Sequence, residues 1–176
     1  MVKLLKFFAY MLFFVLALIY FLPKAALYFY AEQELQKKRL ILSKEEVVDS
    51  GFSLKVKHAE VTFDSIESAS VEEIDVKVFL LYNALHIQNI ELSSMAASFV
   101  PLHIESADIK YTIFNPLKIS GDALGAFGEV NADVNLLERS VTLLLKPSAL
   151  MLQKYQSTLQ TFQRDQNGEY RYVKTF

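Results

Sequence analysis

Glu73-Ile74-Asp75-Val76-Lys77-Val78 alternates charged and apolar side chains without interruption. Successive side chains of an extended chain point to opposite faces, so Ile74, Val76, Val78 and then Leu80 line one side while Glu73, Asp75 and Lys77 line the other. This is the pattern of a strand with one buried face. The same period runs outward from it in both directions. Upstream, Phe52, Leu54 and Val56 alternate with Ser53, Lys55 and Lys57, and Val61 to Phe63 resumes the theme after an irregularity near Ala59. Downstream, Leu85 to Leu92 follows a turn expected at Tyr82-Asn83-Ala84, and Leu102 to Phe114 sets Ile109, Tyr111 and Ile113 against Asp108, Lys110 and Thr112. Asn115-Pro116 breaks that run. Leu117 to Ser120, Phe127 to Leu136 and Ser140 to Leu145 complete a meander, with turns at Gly121-Asp122 and Leu137-Glu138-Arg139. The expectation is a mainly β (α+β) fold, a twisted antiparallel sheet of about seven strands. Several strands exceed the usual five or six residues, and the short connections favour antiparallel pairing of neighbours.

Beyond Pro147 the period becomes helical: Leu152, Tyr155, Leu159 and Phe162 recur at a spacing that predicts a helix near 148–164 packed on the sheet. Asn167-Gly168 offers a left-handed C-cap, and Glu169 to Phe176 alternates as a final strand. Ile74, Val76, Val78, Ile109, Tyr111, Ile113, Leu152, Tyr155, Leu159 and Phe162 are therefore the candidate apolar face. Alternation looks the same whether protein or lipid covers that face, so a closed core and an open groove both fit.

The first 23 residues have a different character. Lys3 and Lys6 precede an almost unbroken apolar run containing Phe7, Phe8, Leu12, Phe13, Phe14, Leu16, Leu18, Ile19, Phe21 and Leu22, closed by Pro23. A bilayer core needs roughly 20 apolar residues of helix, and Leu4 to Leu22 supplies them if Lys6 snorkels to the head groups. A cleaved signal peptide is the rival reading. Phe21-Leu22-Pro23-Lys24-Ala25-Ala26 lacks a good small-x-small cleavage site, and Tyr28, Phe29 and Tyr30 suit a membrane interface. Residues 1–23 are read as an uncleaved anchor, 24–50 as a helical linker and 51–176 as the strand-rich domain. Within the linker, Ser43 and Glu46 form a capping box that predicts a short helical turn from Lys44 to Asp49, ended by Gly51. Lys37-Lys38-Arg39 suits a solvated helix C-terminus. A signal-like start followed by a long domain favours a cytoplasmic N-terminus. That favours a single-pass protein with its domain exported, into the periplasm if the cell is bacterial, a cytoplasmic domain being the alternative.

The 176 residues carry a formal charge of −2, which leaves no electrostatic footprint for nucleic acid. There is no cysteine, so neither disulfides nor thiol chemistry enter. His58, His86 and His103 fall in three strand regions without the paired spacing of a zinc site. Gly121, Gly125 and Gly128 do not form a phosphate-cradling motif. Glu72-Glu73 and Asp75 have no partner for acid–base work, and Ser120 and Ser148 lack a nucleophile-elbow context. No catalytic residue, cofactor or metal site is expected.

An anchor ending in Leu22-Pro23, a polar helix, Gly51-Phe52-Ser53-Leu54, Val61-Thr62-Phe63-Asp64 and Ile87-Gln88-Asn89-Ile90-Glu91-Leu92 follow one another here. So does Asn115-Pro116-Leu117, leading through three glycines to Val130-Asn131-Ala132-Asp133-Val134. In this layout the chain resembles the AsmA-like group and, within it, the type II secretion system protein N family. The resemblance implies an inner-membrane helix and a periplasmic β-domain with a groove-like, apolar-lined sheet. Two functions are compatible, the first expected and the second its alternative, because a face closed by the C-terminal helix is the simpler reading of the alternation. One is a non-catalytic module of an envelope assembly or secretion apparatus that binds other envelope proteins through exposed strand edges. The other is a lipid-binding or lipid-transfer groove that receives acyl chains, at about 0.8 kcal/mol per buried methylene.

Overall fold

The computed structural model describes residues 2–79, 81–165 and 168–176. Its elements in order are α1 (Val2–Phe21), α2 (Lys24–Lys37), β1 (Leu40–Ser43), β2 (Glu46–Asp49), β3 (Leu54–Phe63), β4 (Ile66–Val78) and β5 (Tyr82–Leu92). After a 3₁₀ turn at Ser94–Ser98 come β6 (His103–Thr112), β7 (Lys118–Gly125), β8 (Gly128–Asn135) and β9 (Ser140–Pro147). The chain ends with α3 (Ala149–Lys154), α4 (Gln156–Leu159), β10 (Gln163–Arg164) and β11 (Tyr170–Thr175). All eleven strands belong to one open antiparallel sheet, ordered β1-β3-β4-β5-β6-β7-β8-β9-β11-β10, with β2 also paired to β3.

The mainly β, antiparallel architecture is the one the alternation predicts, and the count rises from about seven to eleven for local reasons. The stretch expected as a helical turn after Ser43 is strand: Glu46–Asp49 pairs with Leu54 to Lys57. Ladder bonds to β3 outweigh the capping box there. Tyr82-Asn83-Ala84 lies inside β5, the reversal falling just before it, where Phe79 N–H donates to Tyr82 C=O. Gly121-Asp122 is mid-strand in β7, opposite Asp108 and Ile109 on one side and Asn131 and Ala132 on the other. The turn falls instead at Gly125–Gly128, where Gly128 has φ +114° and an added Cβ would meet the Lys146 carbonyl. The helix expected to reach residue 164 is broken at Tyr155 (φ −119°, ψ 37°) and ends at Leu159, after which Gln163 and Arg164 pair with β11. Gly168, with φ +81°, lies between β10 and β11, not at a helix end. The expectations placed on Leu80 and Asn167 lie outside the described residues.

A line of irregularities crosses β3 to β6 and falls between β1 and β2. In β3 the inward residues are Leu54 and Val56, then Ala59 and Val61; in β4 Val71, then Ile74 and Val76; in β5 Ile87, then Ile90. Each strand therefore changes parity at this height, and the β3–β4 register shifts again between Val61 and Thr62. The ladders omit His58, Glu72, Asn89 and Glu105 while the pairs on either side keep their register. Each of these strands thus inserts one residue at the same height. Lys44, His58 and Asn89 have φ of +64°, +54° and +49°. On β1–β2 the same break falls between Leu42 and Val47, at Lys44. β7 carries no extra residue, and the β6–β7 register shifts between Ile104 and Ser106 in consequence. Stacked bulges bend a sheet and raise its twist, and here they keep one apolar face continuous over strands as long as 13 residues.

The outer face is polar and carries cross-strand ion pairs, among them Lys55–Glu73 and Lys44–Glu60 at 2.7 Å and Lys118–Asp133 at 3.1 Å. The inner face holds two cores. Leu54, Val56, Ala59 and Val71 form one beneath α2, with Ala25 and Tyr28 packed on them. Phe127, Leu145, Met151 and Leu159 form the other beneath α3 and α4. Ser148 caps α3 by accepting from Met151 N–H while donating to the Ala126 carbonyl.

Candidate functional site: an apolar groove beneath the second helix

α2 leaves α1 at Pro23 and runs along the sheet edge against β1 and β2. Leu27, Tyr28, Ala31 and Leu35 recur at helical spacing, and this stripe overhangs the inner face without sealing it. Between them lies a cavity of about 520 Å³, within the roughly 300–1,000 Å³ typical of small-molecule sites. Its floor is Leu54 and Val61 of β3, Val71, Ile74, Val76 and Val78 of β4, and Leu85 and Ile87 of β5. Leu40 and Leu42 close its far wall.

Lys24 sits at one end, 1% exposed. Its ammonium donates to the carbonyls of Ile19 (2.8 Å), Leu22 (3.3 Å) and Gly51. A buried ammonium needs such partners. These carbonyls include groups that the end of α1 leaves without an intrahelical donor. Tyr20 packs edge-on against Phe52 at 5.3 Å between ring centroids, and Gly51, with φ +79°, has no room for a Cβ beside the Tyr20 ring. α1 is thus built into the fold at its C-terminal end. Apart from Ile19 and these joint contacts its apolar surface is exposed, and the helix is long and apolar enough to cross a bilayer.

Tyr28 and Glu32 add polar groups to the cavity beside Lys24. The Tyr28 hydroxyl is buried and meets no acceptor at hydrogen-bonding geometry. Burial first, then the nearby carboxylates of Glu45 and Glu32, with Glu45 also approaching as an acceptor, push its pKa far above the usual phenol range, so it remains a donor.

The candidate face divides between the two covers. Ile74, Val76 and Val78 line the cavity. Tyr111 is half-buried and Ile109 exposed, on the stretch of sheet between α2 and α3. Ile113 lies in the β6–β7 turn and is exposed, because β6 ends at Thr112. Leu159 is buried in the second core, with Tyr155 and Phe162 packed against it. Leu152 turns to solvent, since the break at Tyr155 rotates the second helical turn away from the line of the first. Of the anchor residues, Phe7 to Phe21 fall within α1 and Leu22 follows it. Lys24, Leu85 and Ile87 are not among the face residues that the sequence pattern singles out, and in sequence α2 belongs to the helical linker. The Leu27–Ala31–Leu35 stripe was the available signal for its covering role.

The histidines face carboxylates on neighbouring strands: His86 Nδ1 lies 2.9 Å from Asp108 and His103 Nδ1 2.5 Å from Glu91, while His58 is exposed on the bulge line. Among the described residues no group of three His, Cys, Asp or Glu is placed to hold a metal ion. Lys55 holds the Glu73 carboxyl below its usual range by hydrogen bonding, a pairing on the polar face.

No protein-family model, curated protein or solved structure matches the chain.

Proposed function

We propose that this protein is a non-catalytic, membrane-anchored β-groove that binds lipid acyl chains. The observation that carries the reading is the cavity between α2 and β3–β5: it is floored by aliphatic side chains, stays open, and begins beside Lys24, whose ammonium binds the Ile19 carbonyl at the end of the apolar helix. Each methylene placed in it gains about 0.8 kcal/mol. The Tyr28 hydroxyl offers a donor for an ester carbonyl or head group. α1 anchors the chain in a bacterial inner membrane, with the sheet on the periplasmic side, in keeping with the resemblance to the AsmA-like group. Its integration through Lys24 and Tyr20 favours an uncleaved anchor over a signal peptide.

A lipid analysis of the full-length protein purified gently from native membranes tests this. Phospholipid at about one per chain, lost when Ile87→Trp fills the groove, is the expected result. Wild-type protein carrying no more lipid than the filled variant would overturn it.

A second reading has its own support. β10 pairs only with Tyr170 and Arg171, so the outer edge of β11 from Tyr172 to Thr175 has no ladder partner among the described residues. Such an edge accepts an added strand, as an envelope-assembly module would require. Stoichiometric crosslinking of an envelope protein to this edge, with no lipid in the groove, would favour it.

A further inference from the structure

We infer that the sheet stands on the bilayer through one rim of turns, so that the lipid surface is a second contact of the domain beyond α1. The inference rests on reading α1 as a membrane helix and is independent of what the groove carries. In an antiparallel meander every second connection lies at the same end. The β2–β3, β4–β5, β6–β7 and β8–β9 connections therefore share one rim with the C-terminal residue, whose N–H donates to the Arg139 carbonyl. α1 ends at this rim, where Tyr20 meets Phe52 and Lys24 meets Gly51.

Each of these connections presents large apolar side chains to solvent. Phe52 stands in the first and Leu81 in the second. Ile113, Phe114 and Leu117 occupy the third, Phe114 being 82% exposed. Leu137 in the fourth is 73% exposed, and Phe176 follows at the chain end. Turns normally carry polar residues, and isolated exposed apolar side chains need no explanation; a file of them along one rim does. Strands are about 4.8 Å apart, so successive turns on this rim sit roughly 10 Å from one another and form a row extending away from α1. Apolar and aromatic side chains in such a row match the interfacial layer of the bilayer that α1 enters. The opposite rim exposes Phe63 and Ile66 beside its Asp64-Ser65 turn, Leu124, and Met95 and Phe99 in a serine-bearing stretch, but Asp64 there pairs with Arg39 at 2.9 Å, and that rim lies at the other end of the strands from the end of α1.

The absence of cysteine makes the test direct. Full-length Phe13→Cys, Ser65→Cys, Phe114→Cys and Leu137→Cys variants, each labelled with an environment-sensitive fluorophore, are placed in phosphatidylethanolamine–phosphatidylglycerol vesicles containing acyl-chain spin-labelled lipid. Strong quenching at positions 13, 114 and 137, severalfold above that at 65, is expected. Quenching at 13 with 114 and 137 no different from 65 would overturn the rim contact and leave the anchor standing. Quenching at 114 and 137 without 13 would show a rim that meets lipid but overturn the anchor, and with it the inference as stated. No quenching at any of the three would overturn both.

Discussion

The ammonium of Lys24 donates to the carbonyl of Gly51, joining the start of α2 to the turn that begins β3. The same ammonium holds Ile19 and Leu22, so one buried side chain fixes the end of α1, the start of α2 and the sheet together. Lys24→Met keeps the length and removes the donor. It should destabilise the fold by about 1–3 kcal/mol through the buried carbonyls left unsatisfied, read as a lower melting temperature of the full-length protein in detergent. An unchanged melting temperature would show that the joint is solvated.

Leu159 and Leu152 are seven residues apart and were read as one face, yet Leu159 is 5% exposed and Leu152 44%. Leu159→Ala should cost about 2–4 kcal/mol as a core cavity, whereas Leu152→Ala should stay within about 0.5 kcal/mol. Equal effects in denaturant titrations would restore the continuous helix.

Asn89 holds φ +49° on the bulge line. Asn89→Gly should be close to neutral, because glycine takes that conformation freely, while Asn89→Val should lose about 1–2 kcal/mol from placing a β-branched residue in the left-handed region. Similar stabilities for the two variants would argue that the bulge is absent.

Removing the Tyr28 hydroxyl separates stability from binding. Because that group is buried with only the Glu45 carboxylate approaching it, short of hydrogen-bonding geometry, Tyr28→Phe should leave the lipid-free melting temperature close to unchanged, and it should weaken lipid retention if the hydroxyl serves the ligand. A clear loss of stability would reveal a protein acceptor for it.

Much of the fold was legible because period-two alternation is a strong signal where one face is buried. Ile74, Val76 and Val78, Leu54 and Val56, and the Ser148 helix start fall where the pattern puts them. The bulge line was half-visible: Lys57-His58, Glu72-Glu73, Gln88-Asn89 and Glu105-Ser106 each place two polar residues together and interrupt the alternation. Only the irregularity near Ala59 could be recognised singly, since the others acquire meaning when the strands are laid side by side. The Ser43–Glu46 capping box misled because a local signal of about 1 kcal/mol yields to a ladder with β3. The cavity was not legible, because α2 is amphipathic only weakly and its apolar stripe reads as helix spacing until a sheet lies beneath it.

The groove itself is tested most directly by a phospholipid carrying a photoactivatable group near the end of its acyl chain, incorporated into membranes holding the full-length protein, with the adducts mapped by mass spectrometry. Adducts on Tyr28, Ile74, Val76 and Ile87, lost in Ile87→Trp, are the predicted result. Adducts confined to α1, with none beneath α2, would contradict the account.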